Sequence, residues 1–234
     1  MGIVLGARLD GLLDMLGAFE CVADIGCDHG RLSVALLQRE KALRVIACDI
    51  SAPSLEKARV LSVLCGVDEK ISLRLGDGLA CLKQNEADAL VIAGMGGALI
   101  ARLLEGSEAV ARSVKRIVMQ PMRGAAELRR FLYETGYRIE SERLVFEAGR
   151  YYQLIAASSG TPEEIPQGFP PGYYGFGVLM AKNRDPLLLP LLSRYKAGHL
   201  KRLERAKKKG VVPGALIKEL GALDALLRFM EEQA

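Results

Sequence analysis

The 234-residue sequence predicts an α/β protein in which a mostly parallel sheet is followed by a separate helical unit. Between residues 20 and 159, short apolar runs alternate with longer amphipathic segments. This alternation is typical of parallel strands that are buried on both faces and joined by helices. Four prolines then fall within residues 161–172, a density that neither a helix nor a central strand tolerates. Beyond residue 182, apolar residues recur at helical spacing.

The sheet domain is predicted to begin with a helix over residues 8–16, where four leucines recur at helical spacing and would pack across the sheet edge. Five apolar runs predict strands, at residues 21–26, 44–49, 71–76, 89–93 and 116–120. Four amphipathic segments between them predict helices, at residues 32–38, 54–64, 98–104 and 125–134. The sequence therefore predicts a doubly wound, Rossmann-like sheet.

The alternation breaks after the fifth strand. Residues 137–146 and 151–158 both predict strands, and only Glu147-Ala-Gly-Arg150 joins them, which leaves no room for a helix. These two strands must therefore be antiparallel. Five β-α units closed by a β-hairpin form the strand inventory of class I methyltransferases, a likeness that concerns the fold alone.

The C-terminal residues predict an antiparallel helical hairpin of about 50 residues, given ordinary helix and loop lengths. A coiled-coil seam is formed by Leu216, Leu220, Leu223, Leu227 and Met230. A weaker seam upstream consists of Leu192, Lys196, His199 and Leu203, and residues 207–214 separate the two. The predicted organisation is a sheet domain (1–160), a Pro/Gly-rich linker (161–181) and a basic helical coiled-coil domain (182–234).

Charge is distributed unevenly along the chain, although the formal net charge is only +4. Residues 1–181 carry 20 Lys and Arg against 22 Asp and Glu, whereas residues 182–234 carry 12 against 6. The basic cluster of the second segment comprises Lys201, Arg202, Arg205, Lys207, Lys208 and Lys209. Such a cluster is either an ordinary solvated helix face or a surface that binds the phosphates of a nucleic acid.

The cysteines are odd in number and lack a C-x-x-C spacing: Cys21, Cys27, Cys48, Cys65 and Cys81. Most lie inside apolar runs, which favours reduced, buried thiols over a disulfide framework or a zinc site. No metal site is predicted. No apolar run reaches the roughly 18 residues that span a bilayer, and no N-terminal targeting segment is evident, so we expect a cytoplasmic protein.

The first candidate binding loop is Asp24-Ile-Gly-Cys-Asp-His-Gly30, between the first predicted strand and a helix. Gly26 permits a sharp turn and a close approach to a ligand, and Gly30 begins a helix whose dipole faces that ligand. Asp28 adds a negative charge that would repel a pyrophosphate but attract the sulfonium and ammonium groups of S-adenosylmethionine. The alternative is an ordinary strand-to-helix turn.

Two further acidic residues follow the next two strands. Asp49 ends the second strand, where a carboxylate can accept both hydroxyls of a ribose. Asp77, in Gly76-Asp77-Gly78, is placed to accept from an adenine amino group. Each alone is as well explained as a helix cap or turn residue. Together with Asp24, they predict one acidic crevice at the carboxyl ends of the strands.

A glycine-rich segment, Ala93-Gly-Met-Gly-Gly97, follows the fourth strand and would let a flat ligand lie against the backbone, unless it is only a tight turn. The chain lacks the Asn-Pro-Pro-aromatic loop of enzymes that methylate exocyclic amines, so a ring nitrogen is the favoured target. Gln120 could bind the edge of an adenine and Arg123 a phosphate, with a turn at Pro121 as the alternative. Tyr151 or Tyr152, but not both, could stack on a flipped base.

These motifs, with Arg8-Leu9 upstream, Gln120-Pro121 and the C-terminal seam, resemble the bacterial tRNA (adenine-22-N1)-methyltransferases over nearly the whole chain. The resemblance implies S-adenosylmethionine as methyl donor, tRNA as substrate and N1 of an adenosine in the D-arm region as acceptor. The chain departs from the family at Arg31-Leu32-Ser33, where other members have Leu-Pro after Tyr or Leu.

The expected site residues follow from the motifs and the resemblance together. Those expected to bind the cofactor are Arg8, Asp24, Gly26, Cys27, Asp28, Gly30, Asp49, Ile50, Asp77, Gly78, Gly94 and Met95. Those expected to bind tRNA are Gly96, Gln120, Arg123, Tyr151, Lys201, Arg202, Arg205, Lys207, Lys208 and Lys209.

The chemistry requires positioning more than a base, because adenine N1 already has an in-plane lone pair. Asp28 and His29 are expected to orient the reactants, and one of them to take the proton that the methylated base releases. For His29, a ring bonded to nearby backbone is an equal alternative. The competing functions are a small-molecule or protein methyltransferase with a dimerising hairpin, and a non-catalytic tRNA-binding or coiled-coil module. A monomer or weak homodimer is expected.

Overall fold

The computed structural model describes residues 2–165, 167–170, 172–211 and 213–232, so Pro166 and Pro171 of the predicted linker lie outside the described residues. The strands are β1 (Phe19–Ile25), β2 (Ala42–Asp49), β3 (Ile71–Leu75), β4 (Ala89–Gly96), β5 (Arg116–Arg123), β6 (Tyr137–Glu147) and β7 (Arg150–Ser159). The helices are α1 (Ala7–Leu16), α2 (Arg31–Gln38), α3 (Ala52–Leu64), α4 (Gly97–Gly106), α5 (Glu108–Ser113), α6 (Ala125–Glu134), α7 (Tyr173–Phe176), α8 (Val178–Lys182), α9 (Leu188–Lys208) and α10 (Gly214–Glu232). The chain forms two compact units, Met1–Glu163 and Glu164–Ala234.

The strands form one seven-stranded sheet in the order β3-β2-β1-β4-β5-β7-β6. The first five strands of the chain pair in parallel, and β7 pairs antiparallel with both β5 and β6. The predicted doubly wound sheet with a terminal hairpin is therefore confirmed. The order reverses between β1 and β4, and open α/β sheets bind ligands at such a switch point, beyond the carboxyl ends of the strands.

Helix α1 covers the face of the sheet near the hairpin, instead of crossing its edge as predicted. It contacts β5, β6 and β7, and to a smaller extent β4. Its Leu12, Leu13 and Leu16 are fully buried, which removes most of their apolar surface from water. The N-terminus of α1 is thereby fixed beside the ends of the central strands.

Strands β4 and β5 are longer than predicted, because they remain paired through the glycine segment and through Pro121. Met95 is opposite Pro121 and Gly96 is opposite Arg123, after register shifts between Ala93 and Met95 and between Met95 and Gly96. A proline without an N–H group is tolerated at such an irregularity. Pro121 therefore lies within a strand, which excludes the turn that was the alternative explanation for this segment.

The second unit contains the predicted helical hairpin, in which α9 packs on α10. Lys196 pairs with Asp224 at 2.7 Å and His199 with Glu219 at 2.9 Å, which makes the two helices antiparallel. The buried residues of α10 are Leu216, Leu220, Leu223, Leu226 and Met230. Leu226 thus occupies the buried position that the heptad spacing predicted for Leu227.

The segment predicted as a linker, 161–181, is partly helical. Helix α7 and most of α8 lie within it, and Val178, Met180 and Ala181 are buried. The second half of the segment is therefore packed against other residues, which its proline content does not predict.

The structure corrects the prediction of reduced cysteines, because Cys48 and Cys81 are joined as a disulfide. Among the described residues, Cys21, Cys27 and Cys65 are free thiols, and Cys65 is only partly buried. No helix in the described part of the chain has both the length and the hydropathy needed to cross a membrane.

Candidate functional site

A cavity of about 520 Å³ lies at the switch point, between the N-terminus of α1 and the segments that follow β1 and β4. This volume falls within the range of roughly 300–1,000 Å³ that is usual for small-molecule sites. Its lining consists of Gly6, Arg8, Leu9, Asp24, Gly26, Cys27, Asp28, His29, Arg31, Leu32, Ala93, Gly94, Met95 and Glu147. The structure therefore brings the two predicted glycine motifs and Arg8 together in one cavity.

Asp24 is the buried acid of this cavity. Its side chain is 2% exposed, and its Oδ2 accepts a hydrogen bond of 2.6 Å from Ser33 Oγ. Burial, with a smaller contribution from the negative charge of Asp49, raises the pKa of Asp24 to about 6, although the bond from Ser33 acts in the opposite direction. An ionised Asp24 therefore lacks the solvation it would have in water, and a cationic ligand would supply a compensating charge.

The loop after β1 has backbone angles that favour glycine. Gly26 and Gly30 have φ values of 74° and 72°, and a Cβ on Gly26 would clash with Met95 Cε. Asp28 also has a positive φ, of 49°, and its N–H donates to Asp49 Oδ2 at 2.9 Å. The loop thus passes close to the β4 segment and is tied to the end of β2.

Asp49 therefore acts first as a loop anchor. Its Oδ1 accepts from Ser51 N at 2.9 Å, and its Oδ2 accepts from Asp28 N. Each carboxylate oxygen can accept a second bond, so these contacts leave the predicted ribose interaction possible.

Cys27 lines the cavity but is not a nucleophile. Burial, together with the charges of Asp24 and Asp49, raises the pKa of the Cys27 thiol far above its ordinary value. The thiol stays protonated at neutral pH, whereas nucleophilic attack requires the thiolate.

His29 lies at the rim between a cation and an anion. Its Nε2 is 3.1 Å from Lys57 Nζ and 3.4 Å from Asp28 Oδ1. Lys57 can only donate to that nitrogen, whereas the Asp28 carboxylate can only accept from it. The two contacts therefore correspond to different protonation states of Nε2, and the described contacts do not include the backbone bond considered as the alternative for His29.

Gln120 and Glu147 hold Arg8 at the cavity. Gln120 Oε1 accepts from Arg8 Nη1 at 2.6 Å and from Gly94 N at 3.3 Å, and Glu147 Oε2 accepts from Arg8 N at 2.8 Å. The Arg8 guanidinium also lies 5.6 Å from the ring centre of Tyr152. Gln120 is fully buried and positions the cavity walls through these bonds, and its binding to the edge of an adenine stays a prediction.

Sequence reasoning missed Glu147 and Ser33. Glu147 ends β6 and approaches Gly6 so closely that a Cβ on Gly6 would clash with its carboxylate. Ser33 was noted only as a departure from a family pattern, yet it is the donor to Asp24. For the Ser33–Asp24 bond, the sequence offers one local signal, a serine on the first turn of the helix that follows the acidic end of a strand.

The other predicted residues lie outside the lining of this cavity. Ile50, Asp77 and Arg123 are exposed, and Gly78 is buried with the side chain of Leu103 against it. Tyr151 pairs with Phe146 across the tip of the hairpin, with ring centres 4.7 Å apart. Gly96 lies opposite Arg123 at the end of the β4–β5 ladder.

The basic cluster of the second unit is solvent-exposed along the last turns of α9. Arg202, Arg205 and Lys209 line a cleft of about 410 Å³ whose other wall includes Leu216 and Glu219 of α10. Clustered exposed cations around a cleft provide charge that suits a polyanion.

A family model and a curated relative both match most of the sheet domain. Residues 5–155 match the family described as "Methyltransferase domain". The tRNA (adenine(22)-N(1))-methyltransferase of Bacillus subtilis is 35% identical over 156 residues, which cover 67% of this chain and 66% of that protein, just under two thirds of its length.

Two solved structures match almost the entire chain. The crystal structure of a Bacillus subtilis m1A22 tRNA methyltransferase has a TM-score of 0.83 at 28% identity and covers 98% of each chain. A provisionally named tRNA (m1A22) methyltransferase of Streptococcus pneumoniae, in complex with S-adenosyl-L-methionine, has a TM-score of 0.84 at 25% identity, with 96% of this chain and 100% of the other covered.

Asp24 should make folding stability depend on pH. Because the pKa of Asp24 is about 6 in the folded protein and 3.8 for an ordinary Asp side chain, its stabilising contribution is complete well below pH 4 and is lost as pH rises through about 6. We expect the wild type to lose about 2 kcal/mol relative to Asp24→Asn between pH 4 and pH 7. Urea unfolding of both proteins across this range measures the difference.

Ser33→Ala provides the control for that experiment. Removing the Ser33 hydroxyl removes a bond that favours the carboxylate, so the pH at which stability is lost should rise. Parallel pH curves for the wild type and Asp24→Asn would contradict the assignment.

Proposed function

The chain belongs to the methyltransferase-domain family, and on this premise we propose that it transfers a methyl group from S-adenosylmethionine to N1 of adenosine 22 in tRNA. The observation that carries the proposal is the acidic cavity at the switch point, in which Asp24 is buried and held by Ser33. The relatives named above provide the substrate and the position.

The charges of the cavity fit this cofactor. When bound, S-adenosylmethionine supplies a methyl group on a positively charged sulfur, and its ammonium group is a second cation. Asp24 and Asp28 provide negative charge along the loop after β1. Arg8, which Gln120 and Glu147 hold in place, provides the cation for the carboxylate of the same ligand.

The remaining cofactor contacts follow the predicted crevice. Asp49 and Ile50, at the end of β2, bind the ribose, and Asp77 and Gly78, after β3, bind the adenine of the cofactor. Asp49 Oδ2 already accepts a bond from Asp28 N, so ribose binding by Asp49 and the position of the loop after β1 are coupled.

The glycine segment after β4 lets the target base approach. Gly94, Met95 and Gly96 are part of a bulged strand end, and a Cβ on Gly94 would meet nothing within 4 Å. An adenine can therefore lie against the backbone there, with N1 directed at the methyl group. Transfer then requires orientation alone, because the lone pair on N1 is the nucleophile.

Asp28 and His29 handle the proton that follows transfer. Methylation of N1 makes the amino group of the base acidic, and a neutral His29 Nε2 or the Asp28 carboxylate can accept its proton. Lys57 Nζ lies 3.1 Å from Nε2 and can only donate to it, so in this contact Nε2 is the acceptor.

The tRNA is held by the basic residues of α9 and by groups near the hairpin. Phosphates are contacted by Arg123 and by the basic residues of the second unit, which are Lys201, Arg202, Arg205, Lys207, Lys208 and Lys209. Tyr151, next to Phe146, stacks on an unpaired base. The proposal takes the acting form to be a monomer or weak homodimer in the cytoplasm.

The proposed reaction is tested by methyl transfer from tritiated S-adenosylmethionine to unmodified bacterial tRNA. We expect label in the RNA and a reverse-transcription stop at position 22, because N1-methylation blocks base pairing. A tRNA with guanosine at position 22 is the control and should remain unlabelled. Label in protein or small molecules, or no label, would support one of the competing functions instead.

Single-turnover methylation of His29→Ala and Asp28→Asn tests the two catalytic residues. We expect each rate to fall by roughly a hundredfold, which is the usual contribution of a positioned acid or base. His199→Ala, which changes the other of the two histidines, and Asp68→Asn, before β3, are the matched controls. Rates within a few-fold of wild type for both test variants would show that neither Asp28 nor His29 has a catalytic role.

Phosphate contacts by the second unit are tested by the double substitution Arg202→Gln, Arg205→Gln. Each lost contact lowers the slope of log affinity against log salt by about 0.9, so we expect a reduction of about 2 for tRNA binding. The control is Lys41→Gln, Lys70→Gln, which removes two charges from the amino ends of β2 and β3. An unchanged salt slope of tRNA binding would mean that Arg202 and Arg205 do not contact phosphates and belong to an ordinary solvated helix face.

A further inference from the structure

A second, shallower groove adjoins the cavity along the outer surface of α3. It has a volume of about 420 Å³ and is lined by His29, Arg31, Glu56, Lys57, Val60, Leu61 and Leu64. His29 and Arg31 also line the methyl-transfer cavity. The two concavities therefore share a wall and form one continuous surface across the start of α2.

The floor of this groove is aliphatic and open to solvent. Val60 and Leu64 are 46% and 67% exposed, and neighbouring Val63 is 51% exposed. The face of α3 that packs on the sheet uses Leu55, Ala58 and Ser62, so the exposed residues are not needed for the core. Single exposed apolar side chains are ordinary, but a cluster of three beside a binding site marks a contact surface.

The rim of the groove is positively charged. Arg31 Nη2 donates to the carbonyl oxygen of Val4 at 2.6 Å, and Lys57 Nζ lies 3.1 Å from His29 Nε2, so neither of these contacts is with a carboxylate. Glu56 does not cancel this charge, because both of its oxygens bond to Arg59, at 2.6 and 2.9 Å. Asp28, 3.4 Å from His29 Nε2, is a carboxylate on the cavity side of this rim and does not line the groove. The charge suited to a phosphate is therefore that of Arg31 and Lys57, on the groove side.

From this arrangement we infer that the groove binds the RNA nucleotide next to the methylated adenosine, a step that rests on the proposed function. The base packs on Val60 and Leu64, and the phosphate that links it to the target nucleotide lies between Arg31 and Lys57. A nucleotide chain fits this groove better than a protein segment does. When the target adenosine is in the cavity, the RNA strand must leave over the shared wall, and the phosphate that follows the adenosine then lies at that wall. Bases bind such platforms with little sequence preference, since each has an apolar face.

The double substitution Val60→Asp, Leu64→Asp tests the platform. It places two charges on the aliphatic floor and opposes the phosphate, so we expect KM for tRNA to rise by at least tenfold. The dissociation constant for S-adenosylmethionine should be unchanged, because these side chains do not line the cofactor cavity. Leu43→Asp is the matched control, since Leu43 is 66% exposed, lies near the start of β2 and lines neither the groove nor the cavity.

Two further measurements identify the occupant. Lys57→Gln should lower the salt slope of tRNA binding by about 1, whereas Lys70→Gln should not. A tRNA with 4-thiouridine next to position 22 should cross-link to the 52–64 peptide on irradiation. An unchanged KM and slope with no cross-link would overturn the inference while tRNA methylation itself persists.

Other outcomes have distinct meanings. If the Asp variant leaves KM unchanged but converts a wild-type dimer to a monomer in size-exclusion chromatography, the groove binds a second copy and the inference is wrong. If the wild type transfers no methyl group to tRNA, the proposed function fails first. The thermal unfolding midpoint of each variant, compared with that of Leu43→Asp, separates loss of binding from loss of folding.

Discussion

The cavity depends on one side-chain oxygen. Gln120 Oε1 accepts from the Arg8 guanidinium and from the N–H of Gly94, and so joins the start of α1 to the glycine segment of β4. Gln120 itself is fully buried, and a buried acceptor left without a partner costs about 1–3 kcal/mol. Asp49 has the same function on the other side of β1, where its two oxygens hold the loops after β1 and β2.

Electrostatic tasks are divided between the two units of the chain. The first unit places acids around a cavity for a cationic ligand, and Asp24 is buried deeply enough that its pKa is about 6. The second unit places exposed cations around a cleft on α9 and α10. A small net charge of +4 is thus the sum of two local charges of opposite sign, each matched to a different ligand.

The sheet and the position of its acidic crevice could be predicted, because parallel strands with buried faces produce long apolar runs and their carboxyl ends meet at one edge. The roles of Gln120 and Glu147 could not, since their bonds to Arg8 join residues 112 and 139 positions apart. A turn at Pro121 could not be excluded from the sequence, because local preferences do not reveal the pairing of β5 with β4. The Cys48–Cys81 bond depends similarly on where the segment after β3 returns toward the end of β2.

The bond between Arg8 and Glu147 also has a consequence for how the molecule is made. It closes a loop that contains most of the sheet domain, and the entropy of such a closure is paid before its contacts form. Helix α1 also contacts β6 and β7, so its packing on the sheet is complete only when the last hairpin is in place. During synthesis, a chain that has emerged only as far as β5 lacks Glu147, and the bond that holds Arg8 at the cavity can form only later.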